Sequence, residues 1–168
     1  MTELMVDPGG VLVRYAEGPG LLRAAIEGLT DAGLDMAPNA ENWTIRHIVH
    51  HIVDGDHLWG IGIKAALGNC DASFGFQWYW AMPQMQWAER WAYAQRDVGL
   101  SLALFEASRR HIVSLLQAAP DAWERTLLVQ WPHREPERVT VGRIVEMQAG
   151  HAAGHVEDIL KIRQMFGI

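Results

Sequence analysis

The stretch VTVGRIVEMQAGHAAGHVEDILKIRQMF, Val139 to Phe166, decides how the rest of the chain is read. Ile144, Gln148, Ile159 and Ile162 recur at helical spacing and form one inward stripe of a long helix that follows Thr140 and runs to about Phe166. His151 and His155 fall inside that stripe, within about 40° of each other at 100° per residue. Glu146, Glu157 and Lys161 lie on or toward the other side. Two imidazoles one turn apart on a buried face need partners for their nitrogens, because burying unpaired polar groups is costly. A shared divalent metal satisfies both as neutral rings. A pair of hydrogen-bonded core histidines, or a face turned partly to water, satisfies the same spacing. The zincin motif is excluded, since HExxH needs Glu after the first His and residue 152 is Ala.

The preceding chain supplies further helices. Thr44 is an N-cap for a second long helix bearing Ile45, Ile48, Val49, Ile52, Trp59 and Ile63, which ends at Gly68 and Asn69. A third starts near Asp97, carries Leu104, Phe105, Ile112, Leu115 and Leu116, and stops before Pro120. Residues 1–18 contain Pro8, Gly9, Gly10 and Gly18 and read as an irregular arm. Pro19 and Gly20 then open a first helix with Leu22, Ile26 and Leu29 on one face and Gly33 as its stop. The aromatic-rich segment around 74–91 lacks a clean period. Pro83 divides a loop from a short helix near 84–92, and Trp78, Trp80, Trp87 and Trp91 are read as packing or interface residues before substrate contacts. A short extended pair is an option around 126–139. Four long helices without repeats predict one all-α bundle domain over residues 1–168.

On the second helix the apolar stripe centres near Ile48, Ile52 and Trp59. His51 stands about 100° from that centre, beside Gly55 and Leu58, and is the best third inward histidine, with His47 as substitute. His50 and His57 fall on the expected solvent side. Asp54 and Asp158, each one turn or less beyond a candidate ligand, are placed to orient an imidazole, with a plain surface carboxylate the blander role for Asp158. His111 and His133 carry no pattern. Gly150 and Gly154 share one side of the last helix and suit close helix packing.

Composition narrows the functional classes. The 168 residues carry a formal net charge of −6, which leaves no electrostatic footprint for a nucleic-acid backbone or an anionic membrane. A single cysteine, Cys70, excludes an internal disulfide and fits a reducing, cytoplasmic setting. The N-terminus lacks a signal-peptide pattern, and no apolar run is long enough to span a bilayer. There is no phosphate-cradling glycine loop and no G-x-S-x-G nucleophile elbow. Cys70 has no nearby histidine in sequence to make it a catalytic thiol.

WTIRHIVHHIVDGDH, Trp43 to His57, resembles the second-helix signature of the DinB-like superfamily, especially its YfiT-like members: a Trp-Thr-x-Arg start, a His eight residues after the Trp, and an Asp shortly after. HAAGHVEDILKIR resembles that family's closing His-x-x-x-His, and WPHREPERVTVGRIVE is similar to its approach to the last helix. The resemblance implies an up-down-down-up four-helix bundle, often a homodimer, with His51, His151 and His155 as ligands of a divalent metal. Nickel or zinc is the expected ion, with iron or manganese as alternatives. It further implies a metal-dependent transfer of a low-molecular-weight thiol such as bacillithiol to small electrophiles. The rivals are a metal-dependent hydrolase acting on a small molecule at the same three histidines, and a non-catalytic metal-binding dimer.

Overall fold

A computed structural model describes residues 8–168. Four long helices form its frame: α1 (Pro8–Ile26), α3 (Ile45–Gly68), α6 (Val98–Ala118) and α7 (Val141–Phe166). Between them lie α2 (Asp31–Leu34), β1 (Ser73–Gly75), α4 (Gln77–Trp80), α5 (Gln84–Arg90), a 3₁₀ turn at Tyr93–Gln95, β2 (Thr126–Gln130) and β3 (Glu137–Thr140). Each long helix after the first starts at a side-chain cap. Thr44 Oγ1 accepts from His47 N, Asp97 Oδ1 from Gly99 N and Leu100 N, and Thr140 Oγ1 from Arg143 N. These satisfy backbone donors that a helix start leaves free. Arg46 of α3 reaches back to Asp35 at 2.7 Å and Asp31 at 2.9 Å and ties the α2 turn to the bundle.

Cross-helix contacts give the directions. His50 meets Ser101, Asp56 meets Arg109, and Gly60 lies against Ile112, so α3 and α6 run the same way. His51 meets His151 while Arg109 joins Asp56 to the Gln148 carbonyl, so α7 opposes α3. Arg109 also brings Tyr15 level with Gln148, and Arg163 bonds the Ala25 carbonyl, so α1 and α7 are parallel. The bundle is up-down-down-up, as expected. Two consecutive helices that run the same way need a connection that travels the length of a helix, roughly 30 Å for α6 at 1.5 Å per residue. That is the task of the aromatic segment between α3 and α6. Its Tyr79 ring stacks with Trp87 and with Trp91, and β1 pairs in parallel with β2, which pairs antiparallel with β3. The extended pair is therefore real, extended by a third strand from the crossover.

The N-terminal reading needs correction. Residues 1–7 of the expected arm lie outside the described residues, but 8–18 are helical, and α1 begins at Pro8 rather than Pro19. Proline is well suited to the first helical turn, where its missing N–H costs nothing. Pro19 lies inside α1 and withholds the N–H that would bond the Tyr15 carbonyl four residues back. Arg109 Nη1 donates to that carbonyl instead, at 2.6 Å. A Cβ on Gly18 would collide with the same Nη1, so Gly18 and Pro19 together form a notch for one guanidinium. The helix also stops at Ile26, so Leu29 and Gly33 lie beyond it.

Arg109 and Asp56 are 1% and 2% exposed. The Arg109 guanidinium bonds Asp56 Oδ1 through Nε and Nη2, the Gln148 carbonyl through Nη2, and stacks between the Tyr15 and Phe105 rings. This polar layer separates two apolar clusters. One gathers Trp59, Ile63, Phe76, Leu127 and Ile144 around the sheet and crossover; the other gathers Leu22, Ile45, Ile52, Phe105 and Ile159. The candidate histidines sit at the edge of that layer. No helix of the described residues is long and apolar enough to cross a membrane.

Candidate metal centre

α3 presents His51, and α7 presents His151 and His155 one turn apart. Their antiparallel packing brings the three rings together, with centroids 5.0, 5.0 and 4.7 Å apart. One nitrogen from each ring lies within 4.8 Å of the others. The Nε2 atoms of His51 and His151 are 3.1 Å apart. Two nitrogens about 2.0–2.1 Å from one ion, at angles between octahedral and tetrahedral, lie about 2.9–3.4 Å from each other. Gly55 faces His151, and a Cβ there would sit 3.7 Å from its Cε1, an ordinary contact rather than a clash.

All three rings are held neutral. Burial, reinforced by the two neighbouring histidines, pushes the His51 imidazole down to about 3. Burial, then His155, then the Arg109 charge below, take His151 down to about 4. Burial also lowers His155, against the pull of Asp158. Neutral imidazoles each offer a lone pair, which is the state a metal requires. His151 Nδ1 and His155 Nδ1 are buried without a hydrogen-bond partner among the described residues. Asp158 Oδ2 stands 3.4 Å from His155 Nδ1, and Asp158 Oδ1 accepts from Lys161 Nζ at 3.1 Å. A carboxylate on that side of the ring favours the Nδ1–H tautomer and leaves Nε2 as donor. Three neutral nitrogen donors with room for further ligands fit a divalent ion of borderline softness. Trp43 covers the group, with its ring 4.3 Å from His51 and 6.1 Å from His155.

Two expectations fail here. Asp54 does not serve the cluster. Arg96 holds both of its oxygens, at 2.6 and 3.2 Å, and so fastens the 3₁₀ turn to α3; the carboxylate beside a candidate ring, that of His155, is Asp158. His50 is not solvated but fully buried, with Nδ1 2.8 Å from Ser101 Oγ and the ring 5.3 Å from Tyr93. Burial brings it down to about 4. The error has one cause: α3 is covered by α6 on one side, α7 on another and the 3₁₀ turn on a third, so a single stripe centre underestimates its buried arc. His47 is half-buried beside Tyr93, while His57, His111 and His133 are exposed. Ser101→Ala removes the one side chain that bonds the His50 ring among the described residues. Urea unfolding is expected to show a loss of about 1–3 kcal/mol; an unchanged midpoint would mean that the hydroxyl is not needed.

Sequence reading also passed over Arg109 and Asp56. The signal was available for Arg109, which occupies the apolar spacing of α6 between Phe105 and Ile112. The aromatic crossover lies on the sheet side of the bundle. Trp78 and Trp80 are about half exposed, and neither they nor Trp87 or Trp91 line the groove beside His155. That groove, of about 430 Å³, is bounded by Trp43, Ile48, His155, Asp158, Ile162 and Met165, with Lys161 at its rim.

Fold and site together define a four-helix-bundle protein with three histidines converging between two antiparallel helices. The DinB superfamily model matches residues 14–159, and the chain belongs to that superfamily. A "putative metal-dependent hydrolase" of Oceanobacillus iheyensis is 26% identical over 145 residues, covering 86% of this chain and 78% of the relative. A protein of the same description from Bacillus cereus strain 03BB102 is 26% identical over 165 residues, 98% of this chain and 88% of the relative. The structure of YfiT from Bacillus subtilis, described as "a probable metal-dependent hydrolase with an unusual four-helix bundle topology", matches with a TM-score of 0.82. It is 22% identical and covers 99% of this chain and 92% of its own.

Proposed function

We propose that this protein is a divalent-metal-dependent hydrolase of small molecules, with His51, His151 and His155 as the ligands. The observation that carries the reading is the convergence of three imidazole nitrogens within 4.8 Å, one of them from His155, which also lines a groove. The hydrolase description of the relatives in Oceanobacillus and Bacillus supports the same reaction class. A divalent ion held by this donor set supplies Lewis-acid chemistry for a carbonyl or a water molecule. The chain's own residues do the rest. Asp158 Oδ2, 3.4 Å from His155 Nδ1, favours the tautomer with its proton on Nδ1. Trp43 packs against the His51 and His155 rings and forms one wall of the groove that receives substrate.

Thiol transfer to a small electrophile, with a cofactor such as bacillithiol, is the second reading. The observation on its side is the same donor set, since nitrogen ligands leave a borderline ion free to take a thiolate and hold it ionised. Cys70 is exposed and borders a different cavity, so the thiol would come from a second molecule. One experiment separates the readings. The zinc- and nickel-loaded protein is given an ester and amide panel, then monobromobimane with cellular thiols. Hydrolysis that needs metal and disappears in His151→Ala/His155→Ala is the expected result. Hydrolysis that survives the double substitution would overturn the hydrolase reading, and metal-dependent conjugation without hydrolysis would replace it with the transferase.

A further inference from the structure

The groove beside His155 has a chemistry of its own. Trp43, Ile48, Ile162, Met165 and Pro38 make its walls predominantly apolar, and its volume of about 430 Å³ falls in the range of small-molecule sites. It borders the candidate metal centre, because His155 and its neighbour Asp158 are part of its wall and Trp43, another wall residue, packs against His51 and His155. The two charged residues of its lining pair with each other: Lys161 Nζ is 3.1 Å from Asp158 Oδ1. Away from the metal centre the walls therefore hold no unpaired charge that would favour a charged tail.

We propose that the groove receives an uncharged aliphatic chain attached to one side of the scissile bond of a small ester or amide. The inference rests on the hydrolase reading and names its substrate class. Hydrolysis of such a compound forms one C–O bond from water to the carbonyl carbon. It breaks the ester C–O or amide C–N bond, and one proton of the water passes to the departing alcohol or amine. The chain lies along Ile48, Ile162 and Met165 while the carbonyl faces the histidines. Each methylene that enters the groove leaves water, which is worth a roughly three- to fourfold gain in affinity until the groove is full.

The test uses the zinc-loaded protein. Acetate, butanoate, hexanoate and octanoate are titrated by calorimetry, and the methyl esters of the same acids and the alkyl acetates of matching length are assayed for hydrolysis. The carboxylates read the tail separately from turnover, because their common head group cancels along the series. A three- to fourfold rise in affinity per methylene is expected in the wild type, with a marked flattening in Met165→Glu, which sets a charge in the groove. Met165 is 62% exposed, so the change is made at the surface of α7; Met165→Gln, expected to flatten the series less, serves if the glutamate variant fails to fold. Whichever ester series follows the same slope shows whether the chain belongs to the acid or to the alcohol. An affinity that does not rise with chain length, or a rise undiminished in Met165→Glu and Met165→Gln, overturns the groove assignment even if hydrolysis occurs. A length-dependent affinity without turnover of any ester, or of the amides of the same acids, upholds the groove and removes the hydrolase reading.

Discussion

Replacing Arg109 with methionine is expected to lower the unfolding free energy by about 3–5 kcal/mol, because Asp56 would be left as an uncompensated buried charge. The same change frees the Tyr15 carbonyl that Pro19 cannot satisfy and the Gln148 carbonyl on α7. A buried ion pair is not in itself a source of net stability, and well-packed apolar replacements often do as well. The double change Arg109→Met/Asp56→Leu is therefore expected to recover much of the loss. Urea unfolding of the two variants measures both numbers; a single variant within 1 kcal/mol of the wild type would show that the layer is not coupled in this way.

The layer also frames the histidines. Asp56 is five residues beyond His51, and Gln148 three before His151, so one guanidinium sets the register of α7 against α3. Zinc affinity is expected to fall in Arg109→Met and to stay low in the stable double variant, which separates register from stability. The apolar spacing of α6 would accept a leucine at position 109 without complaint. What argues for arginine is only visible in the notch that Gly18 and Pro19 open across the bundle.

Metal addition should raise the melting temperature of the metal-free protein. Zinc at a free concentration of one hundred times its dissociation constant contributes about 2.7 kcal/mol to the folded state. For a chain of this length that corresponds to roughly 5–10 °C. The shift is expected to vanish in His151→Ala/His155→Ala and to shrink sharply in His51→Ala, while all three variants stay helical by circular dichroism. An equal shift in the double variant would place the ion elsewhere. Asp158→Asn retains the three ligands but loses the carboxylate beside His155 Nδ1, so an affinity loss of about 10–100-fold is expected there.

The long helices were legible because their caps and periods are local. Thr44, Asp97 and Thr140 bond donors two or three residues away, and the structure starts α3, α6 and α7 at those caps. The first helix was not, because Pro and Gly were read as breakers when a residue from another helix completes the backbone they interrupt. Arg109 supplies Tyr15 with the partner that Pro19 withholds, and no window around residue 19 contains that fact. His50 and Asp54 were misplaced for a related reason. A helix face counts as solvent in sequence unless something is known to cover it, and Ser101 and Arg96 arrive from 51 and 42 residues away.

The sequence by itself determined that His151 and His155 share one face of the last helix, since an interval of four on a helix leaves no other geometry. Together with the match of WTIRHIVHHIVDGDH to a known signature, it also singled out His51. Tertiary structure alone decided that the three nitrogens converge, because His51 and His151 are one hundred residues apart and meet only through the opposed packing of α3 and α7. It also decided which carboxylate attends the site and what lines the groove. Those are relations between helices, and periodicity along one helix carries no information about the rotation of another.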